Sequence, residues 1–264
     1  GNVSAMQDTV AIFGAYALNL VFPNIGELWR IGFVARRTRS KFSTILGTDI
    51  GDRISDLAVI MTLIAVTAFV ARPALVDFMN RYSVGRDIDS IIHNPLLWCG
   101  IALIATVVAV LVRFRQRSRL LSGIGQSVRR VWTGFRILFT MRGRGLYLLL
   151  TIAIWTCYFM ETYVTFMAFP FTRVFISDPA MAYGLIPGLV VFVFGSCSMA
   201  IPSNGGLGPW NLAVIFALTL YGVSEPQAAA FSVAMWGFQA MMLVALGIFS
   251  AVYVVMTRRR SDAP

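Results

Sequence analysis

Charged residues are scarce in this chain. Only 13% of the 264 residues are charged and 58% are hydrophobic, with a mean hydropathy of +0.75. A soluble domain carries about 25% charged and about 45–50% apolar residues. The composition therefore excludes an ordinary soluble enzyme and a disordered chain, and it indicates an integral membrane protein.

Histidine and cysteine, which build most metal centres and all disulfides, are also few. His93 is the only histidine, which excludes a centre with several histidine ligands. Cys99, Cys157 and Cys197 lie in apolar runs without a CxxC pair, so we interpret them as reduced, buried small side chains. The sequence also lacks a Walker loop and the residue sets of hydrolases. We therefore expect no metal, no cofactor and no enzymatic activity.

Long apolar stretches dominate the rest of the chain. Seven of them run over 9–22, 55–71, 96–112, 146–169, 181–201, 211–223 and 227–256. A spanning helix needs about 20 residues. The first and sixth are short and adjoin breaks rich in proline and glycine, so we predict broken or half-helices there. The sequence predicts an all-α, polytopic helix bundle of about seven membrane segments, forming one membrane domain over 1–264.

The net charge of +10 comes from basic residues gathered in three places. The segments 24–54, 113–144 and 258–260 contain 18 of the 22 Lys and Arg residues. Basic residues in short loops mark the cytoplasmic side, and seven crossings that start outside put all three segments there. The charge is therefore a topology signal, and we expect no nucleic-acid partner. We predict a multi-pass protein of the bacterial cytoplasmic membrane with a cytoplasmic C-terminus.

The segment 113–145 is a basic amphipathic connector. Apolar residues from Leu120 to Leu138 recur at helical spacing among Arg129, Arg130 and Arg136. Such a helix lies well in the headgroup plane of an anionic leaflet. It is either a plain connector whose arginines reach the headgroups or a surface that collects anionic lipids.

The first break in the apolar pattern is PNIGELWR, which starts at Pro23 and follows Asn19. Glu27 and Arg30 are three residues apart, which predicts a pair on one helical face. Irregular backbone at membrane depth is tolerated only inside protein or beside a watery cavity. The alternative is a helix end followed by arginines that set the topology.

An acidic segment, GDRISD, follows at Gly51–Asp56. Asp49, Asp52 and Asp56 fall on one helical face, with Arg53 four residues after Asp49. One interpretation places these carboxylates in the first turn of a helix, where they complement the helix dipole. The other is contact with a lipid headgroup or an ion, although nothing else in the sequence completes a metal site.

Glu161 is a carboxylate deep inside the fourth apolar stretch, and such residues usually mark ion or substrate paths. It is either functional or a protonated or hydrogen-bonded structural group.

The last break is PSNGGLGPWN at 202–211, which contains no charge. We predict a re-entrant or unwound element whose glycines permit close backbone approach, with the following helix offering N–H groups to an anion. The alternative is a tight turn between helices.

The two proline–glycine breaks share a pattern, because P-x-x-G-x-L occurs at 23–28 and again at 202–207. Repeated broken helices in corresponding positions indicate a transporter site near the middle of the membrane. The alternative is that a pattern with only three matched residues recurs by chance.

Three motifs together resemble the lysylphosphatidylglycerol synthase transmembrane (flippase-like) family. They are N-x-x-x-P-x-x-G-E-x-x-R at 19–30, an acid-Arg-x-x-Asp element at 52–56, and P-x-x-G-G-L-G at 202–208. The family's second motif usually opens with Glu where this chain has Asp52. Its last motif usually continues into a Glu near residues 209–211. Members tend to have further N-terminal spans, so we expect this chain to be an N-terminal truncation.

The resemblance implies lipid handling, since aminoacyl transfer belongs to a soluble domain of the long members. We expect the chain to bind and translocate a polar or anionic phospholipid. Alternatives are a membrane enzyme that acts on a lipid-linked substrate and a non-catalytic partner of a biosynthetic enzyme; homo-oligomerisation stays open. The candidate substrate-binding residues are Asn19, Pro23, Gly26, Glu27, Arg30, Asp52, Arg53, Asp56, Glu161, Asn204, Gly205, Gly206 and Gly208.

Overall fold

All regular elements in the described part of the chain are helical. A computed structural model describes residues 5–22, 25–81 and 143–261. Its α-helices are α1 (Ala5–Val21), α2 (Ile25–Thr38), α3 (Phe42–Val70), α4 (Arg72–Arg81), α5 (Arg144–Ala168), α6 (Pro170–Ser177), α7 (Leu185–Ser198), α8 (Pro209–Thr219) and α9 (Glu225–Ser261). Short 3₁₀ turns form at Pro179–Met181 and Asn204–Gly206. The predicted all-α class is confirmed.

Within these ranges, four segments are long and apolar enough to cross a bilayer. They are Thr44–Val70, Arg144–Ala168, Pro179–Ser198 and Glu225–Thr257, and they match four of the predicted stretches. The first and sixth stretches correspond to α1 and α8, which have only 17 and 11 residues. The third stretch, 96–112, and residues 113–142 of the connector lie outside the described residues. The membrane helix bundle is thus confirmed, whereas the count of about seven segments is not.

Helix α1 lies between α2 and α9 and approaches both closely because small residues line its contacts. A Cβ atom added to Gly247 of α9 would lie 2.4 Å from the Cβ of Ala17. Beside this contact, the Ser250 hydroxyl donates a hydrogen bond of 2.8 Å to the backbone carbonyl of Val10. Side-chain size therefore decides how near α1 comes to α9.

The apolar core lies where α5 to α9 meet. Phe166 of α5 is fully buried, and its ring centroid lies 5.6 Å from that of Phe231 in α9. Val190 of α7 and Leu218 of α8 complete the same cluster. In the most apolar part of the Pro179–Ser198 span 44% of the residues are buried, against 6% of those in each of the other three spans. Helix α7 is therefore the interior helix, and it contacts α3, α5 and α8.

Candidate functional site

Two ion pairs join α2 to α3. Arg30 pairs with Asp49, and Arg53 pairs with Glu27. The Asp49 side chain is only 11% exposed, whereas that of Arg53 is 56% exposed. The predicted pair of Glu27 with Arg30 is wrong. Both residues face α3, where Asp49 and Arg53 lie one turn apart and match their spacing.

The acidic residues of α3 do not lie at a helix start. Helix α3 begins at Phe42 and has no acidic residue in its first turn. The favourable effect of the helix dipole on a carboxylate falls off within that first turn. The interpretation of Asp49, Asp52 and Asp56 as dipole-stabilising residues is therefore wrong, and their charges need other partners.

Helix α5 supplies partners for the two remaining aspartates. The Tyr147 hydroxyl donates a hydrogen bond of 3.1 Å to Oδ1 of Asp52. The indole Nε1 of Trp155 donates one of 3.3 Å to Oδ1 of Asp56. Sequence reasoning missed both contacts, because donor and acceptor are separated by 95 and 99 residues and no local pattern links them.

These contacts form one polar ladder that runs from α2 through α3 to α5. We define the polar ladder as Glu27, Arg30, Asp49, Asp52, Arg53, Asp56, Tyr147 and Trp155. It contains four carboxylates and two guanidinium groups, so its formal charge is negative when all of them are ionised. Five of the thirteen candidate residues lie in it: Glu27, Arg30, Asp52, Arg53 and Asp56.

At the first break, Asn19 and Gly26 stabilise the reversal of chain direction between α1 and α2. The backbone N–H of Gly26 donates a hydrogen bond of 2.8 Å to Oδ1 of Asn19. A Cβ on Gly26 would lie 1.9 Å from the carbonyl oxygen of Ala15, so only glycine permits this approach. The amide oxygen of Asn19 thus stabilises the start of α2. Pro23 lies outside the described residues.

The second break is built from glycines with positive φ. Gly205, Gly206 and Gly208 have φ of +56°, +82° and +93°, a region that side chains with a Cβ rarely adopt. A Cβ on Gly205 would lie 2.6 Å from Cδ1 of Leu20, near the end of α1. The second break therefore contacts the last turn of α1, which directly precedes the first break. Asn204 begins the 3₁₀ turn and is exposed.

Asn211 links the second break to the start of α8. Its Oδ1 accepts a hydrogen bond of 3.1 Å from the backbone N–H of Gly208. Its Nδ2 is buried and has no hydrogen-bond partner in the described structure. The side-chain amide therefore engages the N–H group directly before α8, and the expectation that the first turn of α8 offers N–H groups to an anion stays a prediction.

Glu161 lies apart from the polar ladder. It is on α5, three residues after Tyr158, and it is exposed. Among the described residues its carboxylate forms no ion pair and no side-chain hydrogen bond. The same part of the chain contains no group of three or more His, Cys, Asp and Glu residues that would hold a metal ion.

Comparison with known proteins identifies the family. Residues 3–247 match the family described as Lysylphosphatidylglycerol synthase TM region. The chain belongs to this family. Searches of curated proteins and of solved structures returned no match.

As a member of the lysylphosphatidylglycerol synthase TM region family, the chain is a multi-pass membrane protein related to lipid handling. The motifs on which the resemblance rests fall at two places in its structure. Glu27, Arg30 and the 52–56 element build the polar ladder, and the 202–208 segment contacts the end of α1.

Proposed function

We propose that this protein translocates a polar or anionic phospholipid across the cytoplasmic membrane without ATP hydrolysis. The observation that carries the proposal is the polar ladder, whose central helix, α3, is a candidate membrane span. Its residues on α3, Asp49 to Asp56, lie within the first half of that span. Ionised side chains within a membrane span are costly, and they usually mark a path for polar substrates.

Arg53 is the group in the ladder best suited to a lipid phosphate. A guanidinium carries five N–H donors, and only one of its terminal nitrogens contacts Glu27. More than half of the Arg53 side chain is exposed, so the remaining donors can form bidentate hydrogen bonds to phosphate oxygens. The acyl chains would stay in the bilayer, against exposed apolar residues of α5 such as Leu148 and Leu149.

The contacts of the aspartates favour binding over enzymatic catalysis. Asp52 and Asp56, the candidate bases of a lipid-modifying enzyme, accept hydrogen bonds from Tyr147 and Trp155. One oxygen of each carboxylate is thus already engaged by a donor from α5, as in a binding site that holds its side chains in fixed positions. We therefore expect no reaction at these residues.

A vesicle assay tests the proposal. The purified chain is reconstituted with fluorescent phosphatidylglycerol, phosphatidylcholine or phosphatidylethanolamine, and dithionite is added from outside without ATP. We expect quenching to proceed beyond the outer leaflet only when protein is present. Arg53→Gln should slow it about tenfold or more, because a charge-assisted hydrogen bond contributes about 1.5–3 kcal/mol.

Arg36→Gln is the matched control for Arg53→Gln. Arg36 is an exposed arginine near the end of α2 and lies outside the polar ladder. We expect it to leave lipid transfer unchanged. Wild-type protein that inserts at normal yield and moves none of the three probes would refute translocation and favour a partner of a biosynthetic enzyme.

A further inference from the structure

Helices α3 and α5 lie beside each other along a boundary that we call the seam. Side chains, and not closely packed backbones, bridge this seam. Both helices pack closely against α7, but they do not pack closely against each other. Two hydrogen bonds cross the seam instead, from Tyr147 to Asp52 and from Trp155 to Asp56. Among the described residues, the hydrogen bonds that hold α5 to α3 therefore come from the tips of polar side chains.

The order of these bonds shows that α3 and α5 run in the same direction. The two acceptors are four residues apart and the two donors eight, which is about 6 Å and about 12 Å along a helix. Parallel helices leave a mismatch of about 6 Å, which the long Tyr and Trp side chains can span, whereas antiparallel helices would leave about 18 Å.

The groups along the seam are polar although both helices are candidate membrane spans. Tyr158 and Glu161 follow Trp155 on α5, and both are exposed. The remaining exposed residues of α5 are mostly apolar, which suits contact with lipid chains. One edge of α5 is therefore polar, and its Tyr147 and Trp155 belong to the ladder.

We propose that the seam between α3 and α5 is a lateral portal through which a phospholipid headgroup reaches the polar ladder. In this proposal the Tyr147–Asp52 and Trp155–Asp56 bonds are latches that hold the portal closed. The inference rests on the proposed function, because a headgroup whose acyl chains stay in the bilayer has to pass between two helices. Both acceptors are carboxylates, which makes the bonds stronger than neutral ones, while their small number allows opening.

Distance measurements test the latches without any transport assay. Spin labels are placed at Leu57→Cys on α3 and Leu148→Cys on α5, both exposed, in a chain whose three native cysteines are replaced by serine. We expect Tyr147→Phe with Trp155→Phe to enlarge the population of long distances at least tenfold. The loss of one hydrogen bond to a carboxylate already shifts an opening equilibrium by about tenfold or more.

Tyr163→Phe is the matched control for the latch variants. It also removes a hydroxyl from α5, but that hydroxyl donates to the carbonyl of Tyr183, 2.9 Å away, and not to α3. We expect its distances to equal those of the parent protein. Equal distances in the double variant and the parent would overturn the latches.

Cross-linking tests the portal itself. Ser55→Cys on α3 and Thr151→Cys, which lies between Tyr147 and Trp155 on α5 and outside the polar ladder, are joined by a reducible bifunctional reagent, with each single variant as a control. We expect lipid transfer to be lost in the cross-linked protein and to return on reduction. Transfer that persists across the cross-link would refute the portal and leave the proposed function standing. If the latch variants change the distances but the wild-type protein transfers no lipid, the proposed function is refuted and the latches stand.

Discussion

The indole Nε1 of Trp236 donates a hydrogen bond of 2.8 Å to the carbonyl oxygen of Gly205. This contact ties the second break to α9, the longest helix in the described part of the chain. On its other side Gly205 lies against Leu20 of α1. The break is therefore an element held between two helices, which a plain surface turn would not be.

We predict that Gly205→Val and Gly206→Val abolish lipid transfer while the protein still inserts. Both positions have positive φ, and an added Cβ would lie 2.6 Å from Leu20 and 2.9 Å from Sδ of Met199, respectively. Asn204→Ala should weaken transfer less, because it removes at most one side-chain hydrogen bond worth about 0.5–1.5 kcal/mol. Vesicle transfer and membrane yield are measured for each variant.

Two further glycines separate crowding from backbone strain. Gly208 has φ of +93° but nothing within 4 Å of an added Cβ, so Gly208→Ala tests strain alone. Gly237 lies within α9, and it has neither a positive φ nor a neighbour within 4 Å. Gly237→Val should therefore retain transfer. Wild-type transfer by the valine variants at 205 and 206 would contradict the assignment of this break to the transport path.

We predict that Gly26→Ala destabilises the protein by about 1–3 kcal/mol, the usual cost of overpacking a tight contact. The added methyl group would lie 1.9 Å from the backbone carbonyl of Ala15, and backbone cannot move aside as a flexible side chain does. Gly32→Ala, on the same helix with nothing within 4 Å, is the control. In detergent, the thermal unfolding midpoint of Gly26→Ala should be clearly lower than those of Gly32→Ala and the parent protein. Equal midpoints would count against the close contact of α1 and α2.

We predict that the two ion pairs of the polar ladder differ in their contribution to stability. Asp49→Ala leaves Arg30 without its partner in the less exposed pair, for which we expect a cost above that of a surface pair and below the about 3–5 kcal/mol of a fully buried one. Glu27→Ala breaks the more exposed pair with Arg53, for which we expect about 0–1 kcal/mol. Denaturation measured for both variants checks this order. A larger loss for Glu27→Ala would contradict it.

We predict that residues 258–260 lie in the cytoplasm. The basis is the gathering of 18 of the 22 basic residues in three segments that the predicted topology places on one face. A Ser261→Cys variant without the native cysteines should resist an impermeant thiol reagent in intact cells and react after permeabilisation. Efficient labelling of intact cells from outside would contradict the prediction and place residues 258–260 on the outer side.

Much of the architecture follows from the sequence. Hydropathy is a local property, and it located the four described spans because about 20 consecutive apolar residues are enough to define a membrane helix. Proline and glycine likewise marked both breaks, since their backbone preferences do not depend on distant residues. The start of α3 was misplaced, because residues 42–54 are polar enough to resemble a loop although they continue the helix.

The partners of the polar groups were decided by the tertiary structure alone. Glu27 and Arg30 have the spacing of a pair within one helix, yet each binds a residue of α3, because packing turns both of them toward that helix. Tyr147, Trp155 and Trp236 resemble ordinary membrane aromatics in the sequence, and their hydrogen bonds join residues 31 to 99 positions apart. Composition and periodicity describe which face of a helix is polar. Only the packing of the helices decides which polar groups come within about 3 Å of one another.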